Sequence, residues 1–239
     1  MSEEIPRYKR IVLKLSGESL KGDQAFGIAE AVITDIASQL KQVAALGVEV
    51  AVVVGGGNFF RGVRSNNIGI DRSSADYMGM MATIMNGIAL RDVLLNLGVE
   101  AHHVSPFHIP SVTGPFILLD VIRCLTQKHI VIFSGGTGSP FFTTDTAAAL
   151  RAVEIKADIF LKATMVDGVY SDDPKKNAAS TRFDHLTYDD VIKQELKVID
   201  LTAVTLCKEN KLPIKIFDIT PKGNIVKAVI DEHMGTLIH

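Results

Sequence analysis

Two glycine-rich runs and one lysine carry the chemistry in this chain of 239 residues. The apolar stretch Val50-Ala-Val-Val-Val54 passes directly into Gly55-Gly56-Gly57-Asn-Phe-Phe-Arg61-Gly62. Successive glycines cost backbone entropy, and a plain tight turn needs only one. The run makes sense where an anion must approach bare N–H groups, phosphate being the usual guest at a strand-to-helix turn. Arg61 follows, where a forked cation would meet the same charge. The second run is Gly135-Gly-Thr137-Gly138-Ser139-Pro140-Phe141-Phe142-Thr143-Thr144-Asp145, again after an apolar segment. Its hydroxyls suit phosphate, ribose or base edges, although Thr144 or Asp145 could serve only as a helix N-cap. Lys14 is a lone charge near the end of Arg10-Ile-Val-Leu-Lys14-Leu15, just before the Ser16-Gly17 turn. It either snorkels at a sheet edge or is delivered to the carboxyl end of a strand, where α/β sheets place their ligands. Two such loops on one sheet suggest two anionic ligands side by side.

These residues need strands to aim them. Apolar runs predict strands at 10–15, 50–54, 99–104, 129–134, 157–164, 214–217 and 236–238. Ile28, Val32, Ile36, Leu40 and Val43 lie on one helical stripe, ended by Leu46-Gly47. Strand, helix, strand at the start is a parallel crossover unit. Further helices are expected at 72–98, 116–126, after 145, and at 188–196, 201–210 and 224–230. With no repeats and no linker, residues 1–239 read as a single-domain αβα sandwich with a mostly parallel central sheet. The 72–98 segment is apolar nearly all round, so it is expected to be buried on every side. One sheet covers one face, and the other should meet a second subunit. Its methionines, Met78, Met80, Met81 and Met85, read as core or interface. Asp76 near its start either complements the helix dipole or holds ribose hydroxyls. Asp200 reads as an N-cap. Val166-Asp-Gly-Val-Tyr170, running on to Asp172-Asp173, is either a surface turn or a base-stacking aromatic with a sugar acceptor. His102, His103 and His108 cluster around one strand end, but their spacing fits no standard zinc pattern and no metal site is expected there.

Composition excludes other classes. With 25 basic and 27 acidic residues the net charge is −2, which points to neither nucleic acid nor a membrane surface. At 47% hydrophobic residues there is material for a large core. Cys124 and Cys207 read as free buried thiols in a reducing compartment. The charged N-terminus lacks an apolar signal region, and no run reaches the length of a membrane span. A soluble, cytoplasmic protein is expected. The Walker phosphate-loop pattern is absent, as is a Gly-x-Gly-x-x-Gly fingerprint after the first strand, which argues against P-loop kinases and dinucleotide oxidoreductases.

Taken together, Lys14-Leu15-Ser16-Gly17, Gly55-Gly56-Gly57-Asn-x-Phe-Arg61-Gly62, Asp76-x-Met-Gly-Met80, Gly136-Thr-Gly-x-Pro-Phe-Phe-Thr-Thr-Asp145 and Lys162-Ala-Thr-x-Val-Asp-Gly-Val-Tyr170 resemble the bacterial uridylate kinases of the amino-acid kinase superfamily. The resemblance runs from about residue 8 to the Gly235-Thr-Leu-Ile end. Lys-Leu-Ser-Gly alone would indicate only the superfamily, whereas the 136–145 loop points to uridylate kinases. The resemblance implies the amino-acid kinase fold and transfer of the ATP γ-phosphate to UMP. It implies that Lys14, Leu15, Ser16 and Gly17, with Gly57 and Arg61, hold the phosphates of ATP, and that Thr164, Tyr170 and Asp173 hold its adenosine end. Gly56 and Asp76 would face UMP, with Thr137, Gly138, Ser139, Pro140, Phe141, Phe142, Thr143 and Thr144 lining its pocket. Lys14, Arg61 and Asp145 would be catalytic, Asp145 by orienting Lys14. The segment Gly22, Asp23, Gln24, Ala25, Phe26, Gly27 resembles the one linked to GTP activation. UTP inhibition, Mg²⁺ dependence and a hexamer built as a trimer of dimers are also implied. Met165 stands where family members carry Lys, and Tyr170 where they carry Phe. Two rival readings are a superfamily kinase acting on a carboxylate or carbamate and a non-catalytic nucleotide binder. Asp76 with the 137–144 loop weighs against the first, and the set Lys14, Arg61 and Asp145 against the second.

Lys14→Ala is expected to abolish turnover while leaving UMP binding largely intact. ADP-release kinetics and a UMP titration check this, and near-normal turnover would remove Lys14 from the mechanism.

Overall fold

Side-chain alternation along the central strands decides which residues reach the ligand-facing edge. The computed structural model describes residues 5–60, 69–172, 177, 179–196 and 198–239. β1 (Arg10–Leu15) lies at the middle of the sheet. Ile11, Leu13 and Leu15 face one core and Val12 the other. The first core is closed by α2 (Glu30–Ala45), α3 (Arg72–Asn96) and α8 (Asn224–Ile230). The second is closed by α4 (Leu118–Thr126), α5 (Thr144–Glu154), α6 (Tyr188–Lys193) and α7 (Leu201–Glu209). Fully burying each Val, Leu or Ile contributes about 1.5–3 kcal/mol, and a strand covered on both faces can be apolar throughout. β2 (Glu49–Val54) is such a strand, buried at every position.

The other strands are β3 (Ala101–Ser105), β4 (Gly114–Pro115), β5 (Ile130–Phe133), β6 (Ile159–Thr164), β7 (Val169–Tyr170), β8 (Arg182–Phe183), β9 (His185–Leu186), β10 (Ile214–Asp218) and β11 (Thr236–Ile238). Among the described residues, nine strands form one sheet in the order β4-β3-β5-β2-β1-β6-β10-β11-β9. Its pairings are parallel except β10 with β11. The expected mostly parallel αβα layering is what forms. Val166–Tyr170 is more than a surface turn, since β7 pairs antiparallel with β8 in a ribbon outside the main sheet.

α3 departs from its expected burial. Met80, Leu90 and Leu94 are buried, but Tyr77, Met78, Met81 and Met85 are exposed. The sheet covers one face, as the packing geometry requires, and the other is open in the isolated chain. By length and composition α3 could also cross a membrane, contrary to the reading that no run is long enough. Here 44% of its most apolar window is buried, and it packs on the sheet. Cys207 is buried, whereas Cys124 is only half-buried; both are free thiols.

Alternation also breaks up the expected histidine cluster. His102 and His103 point to opposite faces of β3, and His108 is exposed. His103 is buried with Nε2 2.6 Å from Ser134 Oγ at the end of β5. Burial, helped by Arg91, lowers its pKa to about 4. A folded pKa below the unfolded value of about 6.5 means that the unfolded chain binds the proton more readily. Stability is therefore lost as pH falls from about 6.5 towards 4. Between pH 7 and pH 5 this residue should cost about 2 kcal/mol. Urea unfolding at both pH values tests this: His103→Gln should flatten the pH dependence by about that amount, and an unchanged slope contradicts it.

Candidate functional site

The carboxyl ends of β5, β2, β1 and β6 are adjacent in the sheet, and every candidate loop leaves from them. After β1, Ser16 caps the short helix α1 (Gly17–Leu20), its Oγ accepting from Ser19 N at 3.1 Å. Gly55 N donates to Leu15 O at 2.8 Å, locking the turns after β1 and β2 together. A Cβ on Gly17 would lie 2.4 Å from Gly57 N, and one on Gly55 2.9 Å from Gly17 N. A Cβ on Gly56 would lie 2.6 Å from Gly79 O in α3. Close backbone packing thus accounts for glycine at 55 and 56. Gly57 differs: its Cβ would meet only Glu18, at 3.7 Å, so glycine there leaves room for a ligand.

A reciprocal amide pair fixes this corner. Asn58 and Asn86 exchange side-chain hydrogen bonds of 2.9 and 2.8 Å. Asn86 Nδ2 also donates to Gly55 O, and Asn58 Nδ2 to Gly27 O. The 22–27 loop is therefore tied to the glycine turn, with Gly27 N donating to Asn58 O at 3.1 Å. Neither asparagine was read as functional; the visible signal was an amide inside the apolar 72–96 helix.

The charged centre comes from strand parity. Lys14 shares the parity of Val12 and so faces α5, and the parallel register places Lys162 of β6 directly beside it. Asp145, in the first turn of α5, lies between them. Lys14 Nζ is 2.9 Å from Asp145 Oδ1, and Lys162 donates to Asp145 Oδ2 and to Val198 O. Burial pushes the Asp145 carboxyl up, but Lys14 and Lys162 more than offset this and hold it below the usual range. Burial dominates at Lys162 and lowers its pKa, with Asp145 opposing. The ammonium of Lys14 carries three donors, and the ion pair with Asp145 Oδ1 does not exhaust them. Lys162 was missed as a site residue, though it carries the same signal as Lys14, a lone charge in an apolar strand.

The N-cap of α5 is Thr143, one residue before the expected Thr144 or Asp145. Its Oγ1 accepts from Asp145 N and Thr146 N. Asp200 caps α7 through Ala203 N, as expected, and also accepts from the hydroxyls of Thr143 and Thr146. It thereby fixes the N-termini of α5 and α7 together. Asp76 accepts from Arg72 Nε at 2.9 Å and from Phe141 N at 2.8 Å. Phe141 has φ 70°, a left-handed conformation costing about 1–3 kcal/mol for a bulky residue, and Arg72 lies over its ring. Asp76 thus anchors the 137–144 loop to α3. Thr137 bonds to Ser139 within that loop.

On the β6 side, Thr164 Oγ1 donates to Val166 O and Tyr170 OH donates to Asp167. A nearby cleft of about 320 Å³ is lined by Met165, Ile219, Thr220, Lys222, Val32 and Gly22 among others. It draws on α2 and on the segment that follows β10, and neither Thr164 nor Tyr170 lines it. Arg61 and Asp173 lie outside the described residues. The structure therefore unites Lys14, Ser16, Gly17, Gly57 and Asp145, sets Asp76 with the 137–144 loop on the α3 flank, and sets Thr164 and Tyr170 beyond β6.

Residues 9–218 match the Amino acid kinase family. The chain belongs to the amino acid kinase family. This kinase is similar to the UMP kinase from Bacillus anthracis, with 37% identity over 97% of this chain and 96% of that one and a TM-score of 0.94. It is similar also to the UMP kinase from Ureaplasma parvum, with 36% identity over 97% and 99% and a TM-score of 0.92. The uridylate kinase from Archaeoglobus fulgidus shares 31% identity over 96% and 99%, with a TM-score of 0.74.

In this kinase Asp145→Asn would leave two buried ammonium groups sharing no carboxylate. Removing one partner of a buried ion set typically costs about 3–5 kcal/mol. Urea denaturation should show a loss of that order, and a wild-type midpoint would show that Lys14 and Lys162 do not depend on Asp145.

Proposed function

We propose that the protein is a UMP kinase, transferring the γ-phosphate of ATP to UMP to give ADP and UDP, in pyrimidine nucleotide synthesis. The observation that carries this reading is the Lys14–Asp145–Lys162 set beside the opening at Gly57, with the Asp76-anchored loop on its flank. The UMP phosphate is already an anion, so transfer needs no general base. The obstacle is repulsion between two phosphates, about 4 kcal/mol per unit-charge pair at 4 Å and an effective dielectric near 20. Two ammonium groups on one carboxylate leave one net positive charge where the phosphates would meet. Charge cancellation and in-line positioning are what phosphoryl transfer asks of a protein.

In this reading Lys14, Ser16, Gly17 and Gly57, with Arg61, hold the ATP phosphates, and Asp145 orients Lys14. Thr164, Tyr170 and Asp173 serve the adenosine end. Gly56, Asp76 and the 137–144 loop receive UMP. Mg²⁺, when bound, adds positive charge to the phosphates. Asp145, Asp76 and Asp200 are each engaged by protein donors and do not fit it as direct ligands, so the ion would rest on phosphates and water. The exposed Tyr77, Met78, Met81 and Met85 support association of α3 with a second copy, the dimer contact that a hexamer built as a trimer of dimers would use. The link of Gly27 to the glycine turn through Asn58 gives the 22–27 loop a route to the centre, in keeping with GTP activation; UTP inhibition is a separate expectation of the same reading. A cytoplasmic location fits an enzyme of this class.

ADP release should be fast with UMP, slower with CMP and absent with aspartate, glutamate or carbamate; turnover of an amino acid or carbamate in preference to UMP would overturn the assignment. Asp76→Asn should chiefly raise the KM for UMP, and a change confined to ATP would reverse the pocket assignment.

A further inference from the structure

His102, Cys124 and His129 lie at the amino edge of the sheet, opposite the rim that bears Lys14. His102 is the second residue of β3, His129 directly precedes β5 and Cys124 is on α4, so three separate elements converge. Their ligand atoms all lie within 4.8 Å of one another. His102 Nε2 and His129 Nδ1 are 3.0 Å apart, with ring planes within 15°. His129 N also donates to Cys124 O, which fixes the turn carrying the second imidazole against the helix carrying the thiol.

Two facing imidazole nitrogens at that distance share one proton, one as donor and the other as acceptor. Imidazole binds metal in its neutral form. Zinc bonds of about 2.0–2.1 Å to nitrogen and 2.3 Å to sulfur place tetrahedral ligand atoms about 3.3–3.6 Å apart. The nitrogen pair, at 3.0 Å, is close to that spacing, and the sulfur would close by about 1.2 Å at most. Two imidazoles and a thiolate suit a borderline-soft cation and suit neither Mg²⁺ nor Ca²⁺.

We propose that His102, His129 and Cys124 bind one zinc-class divalent cation that clamps α4 to β3 and β5, a structural site separate from phosphoryl transfer. On binding, the thiol releases its proton to solvent. The proton between the rings moves to the far nitrogen of the ring that held it, both imidazoles stay neutral, and water takes the fourth position.

The test uses the full chain without an affinity tag, stripped by chelator and titrated with Co²⁺, then with Zn²⁺ as competitor. The proposal expects d–d bands and a thiolate-to-cobalt band saturating at one ion per chain, displaced by Zn²⁺, and a higher Tm with Zn²⁺. Cys124→Ser should lose the thiolate band. His102→Gln and His129→Gln should each weaken Co²⁺ by more than about 100-fold, beyond the roughly 10–100-fold expected of a merely supporting residue. UMP phosphorylation should be unchanged in all three variants. No thiolate band in the wild-type chain, or a band that survives both histidine substitutions, would overturn the proposal.

Discussion

Two ammonium groups, Lys14 and Lys162, lie beside each other on adjacent parallel strands, and Asp145 is what allows them to stay there. Their mutual repulsion and the loss of water around all three groups oppose folding; the shared carboxylate offsets both. The arrangement depends on features remote from any ligand. The register between β1 and β6 must put the lysines level, α5 must begin where its first turn reaches them, and Val198 O must accept a hydrogen bond from Lys162. Thr143 sets the start of α5, and Asp200 holds Thr143. A chain of caps and ladders thus ends in one positively biased point at the carboxyl edge of the sheet.

The glycines around that point divide the labour. Backbone packs on backbone where the turns after β1 and β2 meet and where Gly56 meets α3, and side chains are excluded there for that reason alone. Only Gly57 keeps a side chain out without needing to for packing. The anion-binding reading of a triple glycine is therefore carried by one of the three. The other two bring that one into place, helped by the Asn58–Asn86 pair.

Sequence patterning was enough to place β1, β2, α2 and the elements from α7 onward within a residue or two, because the strands are buried on both faces and the helices on one, whereas the helix expected at 188–196 ends at Lys193. Lys14 stood out as a charge inside such a strand. Lys162 stood out equally, but its pairing with Lys14 depends on a register between strands nearly 150 residues apart in sequence, which local pattern does not encode. Asn86 was hidden for the same reason: its partners are Gly55 and Asn58 on another element. The open face of α3 was legible as apolar, but composition does not say which side the sheet covers. Asp76 was ambiguous because its partner is a main-chain N–H held in an unusual conformation at Phe141, and sequence does not announce such a φ.

The central claim is that the ATP and UMP phosphates meet at Lys14, whose ammonium is held by Asp145 yet keeps donors for them. A crystal structure with UMP and a non-hydrolysable ATP analogue tests it most directly. The account predicts the terminal phosphate within hydrogen-bond distance of Lys14 Nζ and of the Gly57 amide, with the UMP phosphate in line behind it and the Asp145 contacts retained. Nucleotides bound with their phosphates turned away from the ends of β1 and β2, leaving Lys14 paired only with Asp145, would contradict it.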